Sequence, residues 1–202
     1  MRRIFPVLLL IAALSGCEFY RAAEPAEIQA ARYVSDRPPS VTLMSMVNSR
    51  NGRAAHSALL INGSEQVIYD PAGTFQHPEL PRAGDIHYGV TPRYLDYYQR
   101  YHARFDYYVH AQTVEVSRAT ADQVLANAKA RGKTPKLFCA ESVTASVRPV
   151  APFQNVGITL FPEGVREDFA QIPGVQNTFV REVDVGKNNV WEQSATLDLD
   201  EK

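Results

Sequence analysis

Lys136-Leu-Phe-Cys139-Ala-Glu-Ser-Val-Thr-Ala-Ser-Val147 is the stretch on which the reading of this chain turns. Pro135 stands just ahead of it and Pro149 just behind. Between them Phe138, Val143, Ala145 and Val147 recur at helical spacing. The pattern predicts a short buried helix with Cys139 in its first turn. A thiol at that position meets backbone N–H groups that have no intrahelical acceptor, together with the positive end of the helix dipole. Both favour the thiolate. The same N–H groups suit an oxyanion, with the backbone N–H of Cys139 as first donor. A lone cysteine is equally a small buried hydrophobe, and this segment alone leaves both readings open.

Working outward, the N-terminus decides what partner Cys139 has. Arg2 and Arg3 precede a short apolar run, residues 4–14, that ends in Leu14-Ser15-Gly16-Cys17. The run is too short to span a bilayer and reads as a signal segment. Its end resembles a bacterial lipobox, which implies cleavage before Cys17 and lipidation of that cysteine. Glu18 next to it favours outer-membrane sorting over inner-membrane retention, so the expected location is the outer membrane, facing the periplasm. The chain has two cysteines. If Cys17 carries lipid, Cys139 has no intrachain partner; the alternative is a Cys17–Cys139 disulfide in an ordinary secreted protein.

The 202 residues, 45% of them hydrophobic, suffice for one domain with its own core. Charge is nearly balanced, 21 basic against 22 acidic residues, and no basic patch points to nucleic acid. The expected organisation is a signal peptide (1–16), a lipidated cysteine and tether (17–40), a domain (41–185) and an acidic tail (186–202). The tether is rich in Ala, Glu and Pro, with helix in its Ala-rich middle.

Within the domain, residues 41–47 alternate apolar and polar, as a half-buried strand does. Asn51-Gly52 marks a turn, residues 56–61 form a buried strand, and 66–69 return as a hairpin after Asn62-Gly63. Residues 74–89 read as loop. Thr91 caps a helix with Pro92 at its first position and Tyr94, Leu95, Tyr98 and Tyr101 on one face, a stripe best explained as core or groove wall. Residues 105–116 read as strand. Ser117 caps a helix that runs to Arg131 and stops at Gly132. Residues 153–175 read as irregular and 177–183 as a last strand.

His56 changes the reading of Cys139. It opens a buried strand directly after a Gly/Asn turn, a place where polar residues reach a sheet end. A thiol attacks well when a histidine takes its proton and a third group orients the imidazole. Asp70, at the end of the return strand, can accept from the imidazole; equally, Asp70-Pro71 is a turn cap. His77, in the following loop, is a weaker candidate for third member. Glu141 lies about 200° around the helix from Cys139 and reads as an anchor for the helix. His87, His102 and His110 read as surface or core histidines. No paired-cysteine or four-ligand spacing suggests a metal, and no cofactor is expected.

His56-Ser-Ala-Leu-Leu-Ile-Asn-Gly63, Val67-Ile-Tyr-Asp70 and Phe138-Cys139-Ala-Glu141-Ser-Val143 together resemble the circularly permuted papain-like hydrolases of the NlpC superfamily, relatives of lecithin retinol acyltransferase. The histidine hairpin precedes the cysteine helix, as in the permuted members. The resemblance spans roughly residues 41–147, and Phe138-Cys139-Ala-Glu141 is its most specific piece. It implies an α+β, papain-like antiparallel sheet packed against helices, with the nucleophile at a helix N-terminus. Cys139 would be nucleophile and His56 general base. Ordinary members often carry a histidine on the return strand, where this chain has Tyr69-Asp70.

The expected activity is acyl transfer to Cys139, followed by hydrolysis or transfer, on an amide or ester. The substrate would be a peptidoglycan peptide or a lipid or other acyl compound, met by an enzyme held to the membrane by its N-terminal lipid. The rival is a papain-like fold that has lost catalysis and serves as an envelope binding or scaffolding module. Reactivity of Cys139 near neutral pH separates the two.

Overall fold

The computed structural model describes residues 21–104 and 106–182. The expected signal peptide, Cys17 and the acidic tail (186–202) lie outside the described residues, as do the last three positions of the domain that was expected to end at 185.

Strand β1 (Ser40–Asn48) is the middle of the sheet. It pairs with β2 (Ala54–Asn62) on one side and β6 (Tyr107–Glu115) on the other, both antiparallel. The Asn62-Gly63 turn returns the chain as β3 (Gln66–Tyr69). Two short strands, β4 (Arg82–Ala83) and β5 (Ile86–His87), extend that side, and β7 (Gln176–Val180) closes the other. The seven strands run in the order β4-β5-β3-β2-β1-β6-β7 with every pairing antiparallel. With five α-helices among the described residues the molecule is α+β.

Helices cover both faces. Side chains alternate across a strand, so Val41, Leu43, Leu59, Ile61, Val67 and Tyr69 face one layer. That layer holds α3 (Arg118–Arg131), α4 (Cys139–Val147) and α5 (Pro162–Phe169). Met44, Met46, Ala58, Leu60 and Ile68 face the other layer, under α2 (Pro92–His102) and the loop bearing Phe75 and Leu80. β1 was expected to be half-buried, but eight of its nine residues are buried. Its buried polar positions Ser40, Thr42 and Ser45 are small, and the Thr42 hydroxyl meets the Thr113 hydroxyl of β6 at 2.9 Å.

The local signals explain most boundaries. The Thr91 hydroxyl accepts from the Tyr94 N–H, and Ser117 accepts from Thr120 at 3.1 Å. α3 ends at Gly132, whose φ of 67° suits glycine. Three regions depart from expectation. The stretch read as tether packs on the domain from Ala23 onward: its N–H donates to Arg82 at 2.8 Å. Helix α1 (Pro25–Ala31) lays Ile28 against the core, and Gln66 N–H donates to Tyr33 at 2.9 Å. Residues 153–175, read as irregular, contain a 3-10 turn (Phe153–Asn155) and α5. Eight residues with a glycine are too few for a self-standing helix. Burial of Val165 and Phe169, the latter stacked on Phe153 at 5.6 Å, holds α5 in place. The loop at 74–89 supplies β4 and β5, two residues each, too short for a sequence pattern.

Candidate active site

The β2–β3 ladder runs only from Leu59 to Asn62. The start of β2, from His56 to Ala58, therefore has no strand on that edge, and the N-terminus of α4 comes there instead. The first intrahelical bond of α4 runs from the Ser142 N–H to the Phe138 carbonyl at 2.9 Å, so the N–H groups before it are free of helical acceptors. Cys139 is a free thiol and only 7% exposed. Burial pushes its pKa up. The His56 hydrogen bond and charge, followed by hydrogen bonds from the backbone N–H groups of Ser57 and Ala140, outweigh burial and bring it below the ordinary thiol value.

His56 joins the thiol to Asp70. Its Nε2 donates to Asp70 Oδ1 at 2.6 Å, which leaves Nδ1 for the thiol. The imidazole side chain is 22% exposed and the carboxylate 0%. Burial opposes charge on the ring, but the Asp70 hydrogen bond, then the Cys139 hydrogen bond and both negative charges, raise the His56 pKa well above its ordinary value. For Asp70, burial works upward, and the His56 hydrogen bond and charge bring its pKa below the usual carboxylate range. Each group thus stabilises the ionised form of the next.

The backbone around Asp70 is held in detail. A Cβ at position 73 would lie 1.9 Å from Asp70 Oδ2, so only glycine lets the turn close over the carboxylate. The Asp70 N–H donates to the Asp85 carbonyl at 2.8 Å. The carboxylate of Asp85, 1% exposed, accepts from the Ala72 N–H at 3.2 Å, the Thr134 N–H at 2.7 Å and the Arg82 guanidinium at 3.0 Å. One buried side chain therefore ties the Asp70 turn to the loop that leads into Cys139. Sequence reasoning missed Gly73, Asp85 and the Ser57 N–H. The glycine after Asp-Pro-Ala was a visible signal for the first; nothing local marks the other two.

The remaining candidates separate cleanly. His77 packs against Tyr94 and Tyr97, each at 5.3 Å between ring centroids, and it is Asp70 that the fold brings to His56. Glu141 accepts from Arg131 at 2.5 Å and so anchors α4 to α3. His110 Nε2, on β6, donates to Asn177 Oδ1 on β7 at 2.8 Å. Tyr98, His87 and His102 gather behind Asp70. Tyr98 and His87 are 0% exposed, and Phe75 packs edge-on against both rings, at 4.9 and 5.3 Å. Burial holds His87 neutral, with its pKa lowered to about 4. Burial, then the charge of Asp70, raises the Tyr98 phenol far above its ordinary value.

Just ahead of Cys139 in the chain, Leu137 and Phe138 are 85% and 42% exposed, unusual for large apolar residues. Leu137 sits at φ 74°, a left-handed conformation costing a side-chain-bearing residue about 1 kcal/mol. That turn sets Cys139 at the helix start. Among the described residues, no group of three or more His, Cys, Asp or Glu side chains is placed to hold a metal ion, and no helix is long and apolar enough to cross a membrane. Compared with known families, curated proteins and solved structures, the chain matches none.

Proposed function

We propose that the protein is a cysteine hydrolase or acyltransferase of the permuted papain-like, NlpC type, held by lipid on Cys17 to the outer membrane and facing the periplasm. The observation that carries this reading is the buried His56–Asp70 pair, 2.6 Å apart, next to a Cys139 thiol whose pKa the His56 hydrogen bond and charge bring below its ordinary value. The chain order, histidine hairpin before cysteine helix, also supports it.

In the first step the Cys139 proton passes to His56 Nδ1 and the sulfur attacks the substrate carbonyl. A C–S bond forms and the carbonyl oxygen becomes an oxyanion. Hydrogen bonding from the Ser57 and Ala140 N–H groups, which helps lower the thiol pKa, suits the oxyanion that forms there. Collapse expels the amine or alcohol, which takes the proton from His56. Water or an acceptor alcohol or amine then gives its proton to His56 and attacks the thioester, and Cys139 is released. Asp70 keeps Nε2 protonated throughout and stabilises the imidazolium that forms twice. The exposed Leu137 and Phe138 offer an apolar lip for an acyl or side-chain group.

The test is trapping. The domain is mixed with an aryl acetate, and release of phenol is followed with intact mass. A burst accompanied by one acetyl group on Cys139, lost in His56→Ala, supports the reading. Acetylation of surface amines with Cys139 untouched contradicts it.

A further inference from the structure

A cavity of about 410 Å³ opens beside His56, between the start of β2, the turn after Asp70 and the C-terminal end of α2. Its described walls include Gly73, Thr74, Tyr101, His102 and Tyr107, and the one permanent charge among them is Arg104. Arg104 is held in place: its Nε donates to the Tyr101 carbonyl at 2.9 Å and its guanidinium lies 4.4 Å over the Tyr101 ring. No carboxylate among the described residues pairs with it. The nearest acid along the chain, Asp106, is occupied by Arg50 at 3.0 Å. An exposed guanidinium held against an aromatic ring, with no carboxylate partner among the described residues, presents its terminal N–H pairs in the planar fork that suits an oxyanion.

The cavity lies on the His56 side of the site, and His56 must protonate the departing group. A leaving group that takes its proton from His56 has this cavity, lined by His56, to extend into. We propose that Arg104 binds a carboxylate or phosphate on the leaving-group half of the substrate, so that the site selects amides or esters whose released amine or alcohol is anionic. This rests on the reading of Cys139 as nucleophile. It adds a substrate class, and it makes Arg104 the residue that sets it. The same pocket would receive an anionic acceptor when the acyl group is transferred, because attack on the thioester retraces the path of departure.

The test uses three acetyl esters that deliver the same acyl group to Cys139: those of 4-hydroxybenzoate, 4-hydroxybenzamide and 4-hydroxyphenyl phosphate. Each rate is divided by that ester's rate with a free thiol, which removes intrinsic leaving-group differences. The expected result is a preference of about tenfold or more for a charged ester over the amide, the size of one charge-assisted contact. It resides mainly in KM, disappears in Arg104→Ala and reverses in Arg104→Glu. Preference for the benzoate or for the phosphate tells which anion the fork takes. A normalised ratio near one in wild type, or a ratio unchanged in Arg104→Ala, overturns the proposal while leaving Cys139 as nucleophile. Failure of all three esters to acetylate Cys139 overturns the nucleophile reading, and this proposal with it. A purely structural role for Arg104 would lower all three rates together and leave the ratio where it was, which also counts against the proposal.

Discussion

The two faces of the sheet are covered by helices but filled with different chemistry. Under α3, α4 and α5 an aliphatic and aromatic cluster that includes Val41, Leu43, Leu59, Ile61, Val124, Val143, Phe153 and Phe169 is buried together with neutral polar groups, among them Ser57, Gln112, Ser142, Thr144 and Ser146. Under α2 the buried polar groups are titratable: Tyr98, His87 and His102 stand among the apolar groups, and Asp70 is buried beside them. Burying polar groups costs free energy that a methyl group would not. The first face thus serves to hold α4 against the sheet. The second keeps an acid ionised and a histidine oriented in a dry setting, where electrostatic effects are strong. The candidate site lies where the layers meet, with Cys139 from one and His56 and Asp70 from the other.

This contrast can be broken most severely at Asp70. Asp70→Asn keeps the shape but loses the charge, so imidazolium is no longer favoured. Acylation of Cys139 should fall on the order of a thousandfold while the urea midpoint changes far less; equal losses of both would mean that Asp70 only holds the fold. On the aliphatic face the balance should reverse. Phe169→Ala, which removes a fully buried ring, should lower unfolding free energy by about 3–4 kcal/mol, with the pH profile of the remaining native protein unchanged.

His87 sharpens the comparison through pH. Its folded pKa of about 4 lies below the ordinary 6.5, so the unfolded chain holds more protons between those values. Stability from this group is fully present above about pH 6.5 and is lost as pH falls toward 4, to the extent of roughly 3 kcal/mol. His87→Phe should flatten that slope in urea titrations at pH 4.5 and 7; an unchanged slope would place the acid sensitivity elsewhere. His56 has the opposite sign, since its raised pKa gives stability that is lost as pH rises through it. The smallest effect is expected at Leu137. Leu137→Gly relieves its left-handed backbone and should raise stability by up to about 1 kcal/mol, visible as a small upward shift in melting temperature.

Much of this architecture was legible because the relevant signals are local. Alternation marked β1, the buried apolar run 56–61 marked β2, Asn62-Gly63 marked the hairpin, and Thr91, Ser117 and Gly132 marked helix ends. The pairing of His56 with Cys139 could be suspected from thiol chemistry and from the resemblance in chain order. What could not be read depends on contacts far apart in the chain. Asp85 acts by joining residues 72 and 134, and α5 exists because Phe169 meets Phe153. The choice of Asp70 over His77 is set by where β3 stops, and residues 23–40 pack on the domain through bonds to Arg82 and Gln66 that composition does not announce.

The central claim is that Cys139, His56 and Asp70 act as one ionised unit. The most direct measurement is the rate of iodoacetamide alkylation of Cys139 across pH 4 to 10 in the folded protein, in wild type, His56→Ala and Asp70→Asn. The account predicts fast alkylation that persists to acid pH in wild type, because the thiol pKa is lowered by its neighbours. It predicts a strong loss of rate at pH 6 in His56→Ala and an intermediate loss in Asp70→Asn. A wild-type rate that rises only near the pKa of an ordinary thiol and is the same in all three proteins would contradict it.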